Sequence, residues 1–182
     1  ATVCKILVQY RDFGSYFIDD LALLLSKMQA SPLRSFLGQI LAEELGDGEH
    51  TRSHPFLYDC FLESLGLPEI SQSEAWILQR NRSMLRAITE ELREGSVGFG
   101  IGLRGMGGEC LCHTYLVKLW DHFSANPAVR MRSNSIDWRF WDIHVGPTDA
   151  AHVEHTRGRI TDFVRLHPEQ MPELSAGYHR SL

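Results

Sequence analysis

The stretch EELGDGEHTRSH, residues 43 to 54, ends one apolar helical pattern with two glutamates and opens the next with a histidine. On a helix with about 100° per residue, Glu44 falls in the middle of the apolar stripe of residues 33 to 41, whereas Glu43 falls at its edge. The same count places His54 inside the apolar stripe of the pattern that follows. Glu44 and His54 are therefore predicted to face the core, and Glu43 is predicted to be solvated.

Two later stretches also direct ionisable side chains towards apolar faces. Glu109 follows the glycine-rich run GFGIGLRGMGG and shares its helical face with Leu116 and Trp120. Because glycine has no side chain, that run would leave room for a ligand beside the carboxylate. The run is not a phosphate-binding loop, because it lacks the pattern GxxxxGK[ST] and follows a helix. Asp149 and His152 are one helical turn apart in the spacing DxxH, so both point the same way.

A carboxylate or imidazolium that is buried alone costs free energy unless it is paired or bound to a metal. Taken singly, these residues have structural explanations: a frayed helix end for Glu44, a core or cap histidine for His54, and a surface pair for Asp149 and His152. Four helical segments that each direct such a group to the core are hard to explain by packing. Their joint occurrence favours a metal site.

The composition excludes several classes of protein. The 182 residues are 43% hydrophobic, enough for the core of one domain spanning 1–182. The net charge of -5 comes from interspersed charges, so neither a nucleic-acid partner nor a membrane surface is expected. No apolar run approaches the roughly 18 residues of a membrane span, and no signal peptide is recognisable. Four cysteines outside any disulfide or CxxC pattern indicate a reducing, cytoplasmic setting. The chain starts without a methionine and already in apolar periodicity, which is compatible with a missing N-terminal helix.

Helical periodicity dominates the chain, and no sustained alternation of period two predicts a strand. The pattern indicates an all-α bundle of six or seven helices. The predicted helices are residues 17–28, 32–45, 53–65, a long helix from a capping box at 71–74 to 93, a helix from the glycine-rich run to 123, and 135–166 with an interruption at Gly146-Pro147.

The run LxxILAEELGDGEHTRSHPFLYDCFLESLGL, the later Glu109 and the C-terminal HVGPTDAAHVEH resemble the heme-oxygenase-like diiron oxidase and oxygenase family over most of the chain. The resemblance implies a heme-oxygenase-like helical bundle that binds two Fe(II) ions and uses O₂ as co-substrate. It implies that the carboxylates Glu44, Glu109 and Asp149 serve catalysis, and that the metal ligands are Glu44, His54, Glu109, His144, Asp149 and His152. Three carboxylates would leave two Fe(II) ions with a net charge of about +1.

The family's C-terminal pattern, HxxxDxxH, has three residues between its first two members, whereas this chain has four between His144 and Asp149. In a regular helix, that spacing would turn His144 about 140° away from Asp149. A π-bulge at Gly146-Pro147 would restore the alignment, because proline disrupts regular helical hydrogen bonding. His113, one turn after Glu109, and His50, one turn before His54, are competing imidazoles. His155 points elsewhere on a regular helix.

The resemblance further implies oxidation of a small amine- or carboxylate-bearing metabolite in a biosynthetic pathway, by N-oxygenation, oxidative C–C cleavage or desaturation. It leaves room for an electron donor and for a homodimer. Arg104 could pair with a substrate carboxylate, the alternative being a solvated arginine. Cys110 and Cys112 flank the face of Glu109, so thiolate ligation is not expected.

Other classes remain open. The same backbone class includes cofactor-less oxidases and thiaminase-like hydrolases, and the latter need a nucleophilic cysteine. Cys60 lies outside the stripe of His54, which argues against hydrolysis. Heme oxygenase itself would need a proximal histidine near the N-terminus, and no histidine precedes His50. A non-enzymatic helical interaction module would need no inward carboxylates.

Overall fold

The computed structural model describes residues 2–67 and 77–182, with the side chains of residues 2–4 and 147–149 left out. Within these ranges the chain is helical or in turns and contains no strand, which confirms the all-α prediction. The elements are α1 (Thr2–Lys27), α2 (Pro32–Glu44), α3 (His54–Ser64), α4 (Gln79–Glu94), the short α5 (Val97–Gly100), a π-helix (Ile101–Cys110), α6 (Leu111–Ser124), the short α7 (Pro127–Arg130), α8 (Arg139–His144), α9 (Pro147–Leu166) and α10 (Met171–Ser181).

Several boundaries differ from the predicted ones. The first helix starts at Thr2 rather than near residue 17. The predicted capping box at 71–74 lies outside the described residues. The helix expected from residue 135 starts at Arg139, and its predicted interruption at Gly146-Pro147 is confirmed, because extended Gly146 separates α8 from α9. The C-terminal α10 was not predicted. None of the described helices is both long enough and apolar enough to cross a bilayer.

The loop between α2 and α3 is a tight reversal. Helix α2 begins where Ser31 Oγ accepts a hydrogen bond from the Arg34 amide at 3.1 Å, followed by Pro32 at the first helical position. After α2 the chain reverses through Gly46 at φ 86°. A side chain at Gly46 would also place its Cβ 2.3 Å from the Glu49 carbonyl oxygen. The glycine thus allows a short loop that brings the end of α2 next to the start of α3.

The glycine-rich run forms a π-helix, a form usually limited to single-turn bulges within α-helices. Its backbone packs directly on α10. A Cβ at Gly102 would lie 1.9 Å from the Leu174 carbonyl oxygen, and a Cβ at Gly177 would lie 2.0 Å from the Phe99 carbonyl oxygen. Most of these glycines therefore allow close packing of helices. The sequence had suggested instead that they line a ligand pocket.

Two apolar clusters form the core. One is built mainly on α1, α2 and the π-helix and includes Phe17 and Ile40. The other is built mainly on α3, α6 and α8 and includes Tyr58 and Phe140. Residues of both clusters line one cavity. This cavity therefore lies where the two halves of the core meet.

Candidate metal centre

Three predicted metal ligands come together at the ends of three helices. Glu44 is the last residue of α2, His54 the first of α3 and His144 the last of α8. One potential ligand atom from each lies within 4.8 Å of the others. His54 Nδ1 is 2.9 Å from Glu44 Oε2, and the imidazole rings of His54 and His144 have centroids 4.6 Å apart.

The ring of His144 is held from behind by its own helix. Its Nδ1 lies 2.7 Å from the Phe140 carbonyl oxygen, and the ring stacks on Phe140 with centroids 4.0 Å apart. A hydrogen bond from Nδ1 to a backbone carbonyl leaves Nε2 available to a metal, an arrangement that metal-bound histidines commonly use. The predicted π-bulge does not form, because α8 ends at His144 and the chain leaves helical geometry at Gly146. This break frees the His144 side chain from the helical phase of α9.

His152 and Glu43 form a second pair beside this cluster. His152 Nε2 is 3.3 Å from Glu43 Oε2, and the two side chains are 26% and 27% exposed. Glu43 also accepts a hydrogen bond from Gln39 Nε2 at 3.0 Å. Glu43 is more exposed than Glu44, at 27% against 15%, as its position at the edge of the apolar stripe predicted. The same edge of α2 also lines the cavity, so the Glu43 carboxylate is only partly solvated.

The remaining predicted ligands are only partly described. Glu109 is buried at the end of the π-helix and lines the same cavity as the two groups above. Asp149 belongs to the first turn of α9, but its side chain lies outside the described residues. Its role as a ligand stays a prediction.

The competing histidines have other contacts. His113 Nδ1 lies 3.3 Å from the carbonyl oxygen of His144 and so supports the end of α8. His50 is exposed, and its ring packs against Phe56. His155 is exposed and packs against Phe36. None of the three lines the cavity described below.

Arg104 is neither solvated nor part of the cavity wall. It is 3% exposed, and its Nε donates to Asp20 Oδ2 at 2.8 Å, while Asp20 is completely buried. Thr89 donates to the other oxygen of Asp20 at 2.6 Å. The guanidinium is thus committed to a buried ion pair between α1 and the π-helix, and its predicted role in substrate binding gains no support from this contact.

A cavity of about 290 Å³ adjoins these predicted ligands. Besides the metal-ligand candidates, its wall carries aromatic side chains and several polar groups: Tyr10, Phe13, Phe17, Tyr58 and Phe140, with Arg11, Ser15, Asp47, Arg52 and Cys112. Helix α1 supplies three of these five aromatic residues, a contribution that was not predicted from the sequence. Tyr10, Phe13 and Phe17 recur at helical spacing there, a pattern that also fits an ordinary core face.

The family of iron-containing redox enzymes matches residues 5–182, nearly the whole chain. The chain belongs to this family. Among solved structures, a CADD-like protein of unknown function from Nostoc punctiforme has a similar fold, with a TM-score of 0.59 and 18% sequence identity over 98% of this chain and 73% of that chain. No curated protein matches. The predicted heme-oxygenase-like bundle is confirmed by the family.

The donors of this redox enzyme fit iron. Imidazole and carboxylate without thiolate are the donors of non-heme iron sites that leave positions open for O₂. Burial, followed by the charge of His54, lowers the pKa of His144 to about 4, so this imidazole is neutral and able to bind a cation near pH 7. Burial alone would raise the pKa of Glu44, but the contact with His54 and the charges of nearby histidines outweigh it and lower that pKa. Glu44 is therefore ionised.

The metal-free enzyme should lose stability as pH falls from about 6.5 to about 4. The unfolded chain binds a proton at His144 near pH 6.5, whereas the folded chain does so only near pH 4, so acid favours unfolding across this window. Urea unfolding of the chelator-treated protein at several pH values would measure the slope. His144→Gln should flatten it, and His155→Gln, at an exposed position, should not. Equal slopes in the wild type and His144→Gln would contradict this assignment.

Proposed function

We propose that this redox enzyme is a non-heme diiron oxidase or oxygenase that uses O₂ to oxidise a small metabolite. The observation that carries the proposal is the convergence of Glu44, His54 and His144 on one point. Another histidine, His152, and another buried carboxylate, Glu109, face the same cavity. A mononuclear non-heme iron site uses two histidines and one carboxylate, so the two further donors are available to a second ion.

The residues that would hold iron are Glu44, His54, Glu109, His144, Asp149 and His152. When bound, the iron would supply the O₂ and electron-transfer chemistry that amino-acid side chains lack. The chain's own contribution is to fix the donors. The Phe140 carbonyl sets the tautomer of His144, and the contact with His54 keeps Glu44 ionised.

The cavity wall would position the substrate beside these ligands. Its aromatic rings exclude water and offer flat apolar contact, while Arg52 and Arg11 bring positive charge to the same wall. Asp59 already pairs with Arg11. Arg52 is exposed and better able to pair with a substrate carboxylate. A substrate with a small apolar body and one anionic group fits this lining.

Hydrolysis by a cysteine nucleophile is the alternative from another class, and Cys112 lines the cavity. Burial raises the pKa of Cys112 to about 12 in spite of its hydrogen bonds with Tyr115 and Tyr10. A thiol in this state is a poor nucleophile at neutral pH. Cys60 does not line the cavity. The geometry therefore favours oxidation over hydrolysis.

Anaerobic titration with Fe(II) should load about two ions per chain and raise the melting temperature, because the ions bind the native state preferentially. Metal analysis after desalting gives the stoichiometry, and scanning calorimetry gives the thermal shift. At iron concentrations near 100 times the dissociation constant, the stabilisation should be about 2.7 kcal/mol. At most one weakly held ion, or a melting temperature independent of iron, would refute the diiron proposal.

A further inference from the structure

Glu43 was not predicted to be a ligand, yet its carboxylate contacts the predicted ligand His152. It shares the cavity wall with Glu44, Glu109, His54 and His152. Its carboxylate and the imidazole of His152 are both about three-quarters buried. Neither is part of the group formed by Glu44, His54 and His144. A second, separate pair of metal-type donors therefore stands next to the first group.

The geometry of this pair suits two ligands of one ion. Glu43 Oε2 and His152 Nε2 are 3.3 Å apart, longer than the roughly 2.7–2.9 Å of a charge-assisted hydrogen bond. Two donors that each bind an ion at about 2.1 Å lie about 3 Å from each other. Gln39 Nε2 holds the other oxygen of Glu43 at 3.0 Å, so Oε2 is the oxygen directed at His152. That hydrogen bond orients the carboxylate, as groups that hydrogen-bond to metal ligands commonly do.

We propose that Glu43 is itself a metal ligand and that it binds the second iron together with His152. This inference rests on the proposed diiron function. In this arrangement, two successive residues of α2 bind different ions. Glu44 binds one ion with His54 and His144, and Glu43 binds the other with His152. Four carboxylates would then balance the charge of two Fe(II) ions, so the loaded site would be close to neutral in its partly buried setting.

The test is the iron stoichiometry and affinity of Glu43→Gln. Glutamine keeps the size of the side chain and can still meet Gln39, but it loses the charge that binds the ion. Anaerobic titration with ⁵⁷Fe(II), followed by Mössbauer spectroscopy, counts the ions and their environments without any turnover. The wild type should show two iron environments of equal area. Glu43→Gln should keep one, with the affinity for the other at least about 100-fold weaker.

Two further variants separate ligation from simple charge. Glu43→Asp keeps the charge but shortens the reach, so it should also lose most of the affinity for the second ion. If Glu43 only attracted or oriented His152, aspartate would instead restore the affinity for the second ion. Glu63→Gln removes a charge from an exposed position on α3 and should bind both ions as the wild type does. Circular dichroism of the iron-free variants checks that each one is folded.

The outcomes are distinct. Two ions with wild-type affinity in Glu43→Gln would overturn this assignment and leave the diiron function standing. Wild-type affinity restored in Glu43→Asp would overturn it as well, in favour of an electrostatic role. Fewer than two ions in the wild type would overturn the proposed function, and the second ligand pair with it. Loss of both ions in Glu43→Gln, with an intact fold, would contradict the division of α2 between two ions.

Discussion

Glu44→Ala should abolish tight binding of the iron that Glu44 would share with His54 and His144, and with it the oxidation that needs both ions. Glu44 lies within ligand distance of both His54 and His144, and its loss removes the carboxylate that the two imidazoles share. Even partners outside the ligand shell change metal affinity by about 10–100-fold, so removing a ligand should exceed that range. Anaerobic metal analysis and O₂ consumption with a bound substrate would both report the loss.

The matched control for this prediction is Glu63→Ala, because Glu63 is exposed on the neighbouring α3. It should leave iron content and melting temperature unchanged. Iron bound by Glu44→Ala at the wild-type level would show that the convergence of these three side chains is an ordinary buried polar cluster. The family assignment would remain, but its iron would have to bind elsewhere on the chain.

Asp20→Ala should destabilise the fold by about 3–5 kcal/mol, which corresponds to a fall in melting temperature of roughly 6–20 °C for a chain of this length. Asp20 is completely buried, and the substitution would leave the guanidinium of Arg104 buried without a counter-charge. Chemical denaturation of the metal-free protein measures the change directly. The same loss should loosen the π-helix and so weaken iron binding through Glu109.

Two comparisons define the origin of this effect. The double variant Asp20→Leu with Arg104→Met should recover most of the stability, since replacing both partners of a buried pair by apolar residues is often neutral or better. Glu90→Ala breaks the exposed Arg93–Glu90 pair and should cost about 0.5 kcal/mol or less. A cost for Asp20→Ala as small as that of Glu90→Ala would mean that water reaches the Arg104 guanidinium.

The sequence was most informative where helices are regular. The position of Glu44 in the stripe of α2 and of His54 at the start of α3 follow from a period of 3.6 residues, and the turn between them follows from Gly46. These features place Glu44 and His54, two predicted ligands, side by side without any knowledge of the remaining chain. The all-α class follows from the same periodicity.

The features that could not be predicted depend on distant partners. Nothing near Glu43 indicates that the edge of its helix faces a cavity, because that cavity is closed by α1 and α8. The partner of Arg104 is Asp20, 84 residues earlier in the chain. The π-helix has no local signature beyond its glycines, and a helical count with α-periodicity is wrong across residues 101–110.

The interruption between α8 and α9 has a consequence for how relatives of this chain can be found. Inside an unbroken helix, one inserted residue rotates every later side chain by about 100° relative to the earlier ones. At Val145 and Gly146 the chain is not helical, so an extra residue is absorbed there while His144 and His152 keep their directions. Insertions and deletions should accordingly accumulate at this point in evolution. A pattern search that fixes the spacing of these two histidines would overlook relatives with an equivalent site.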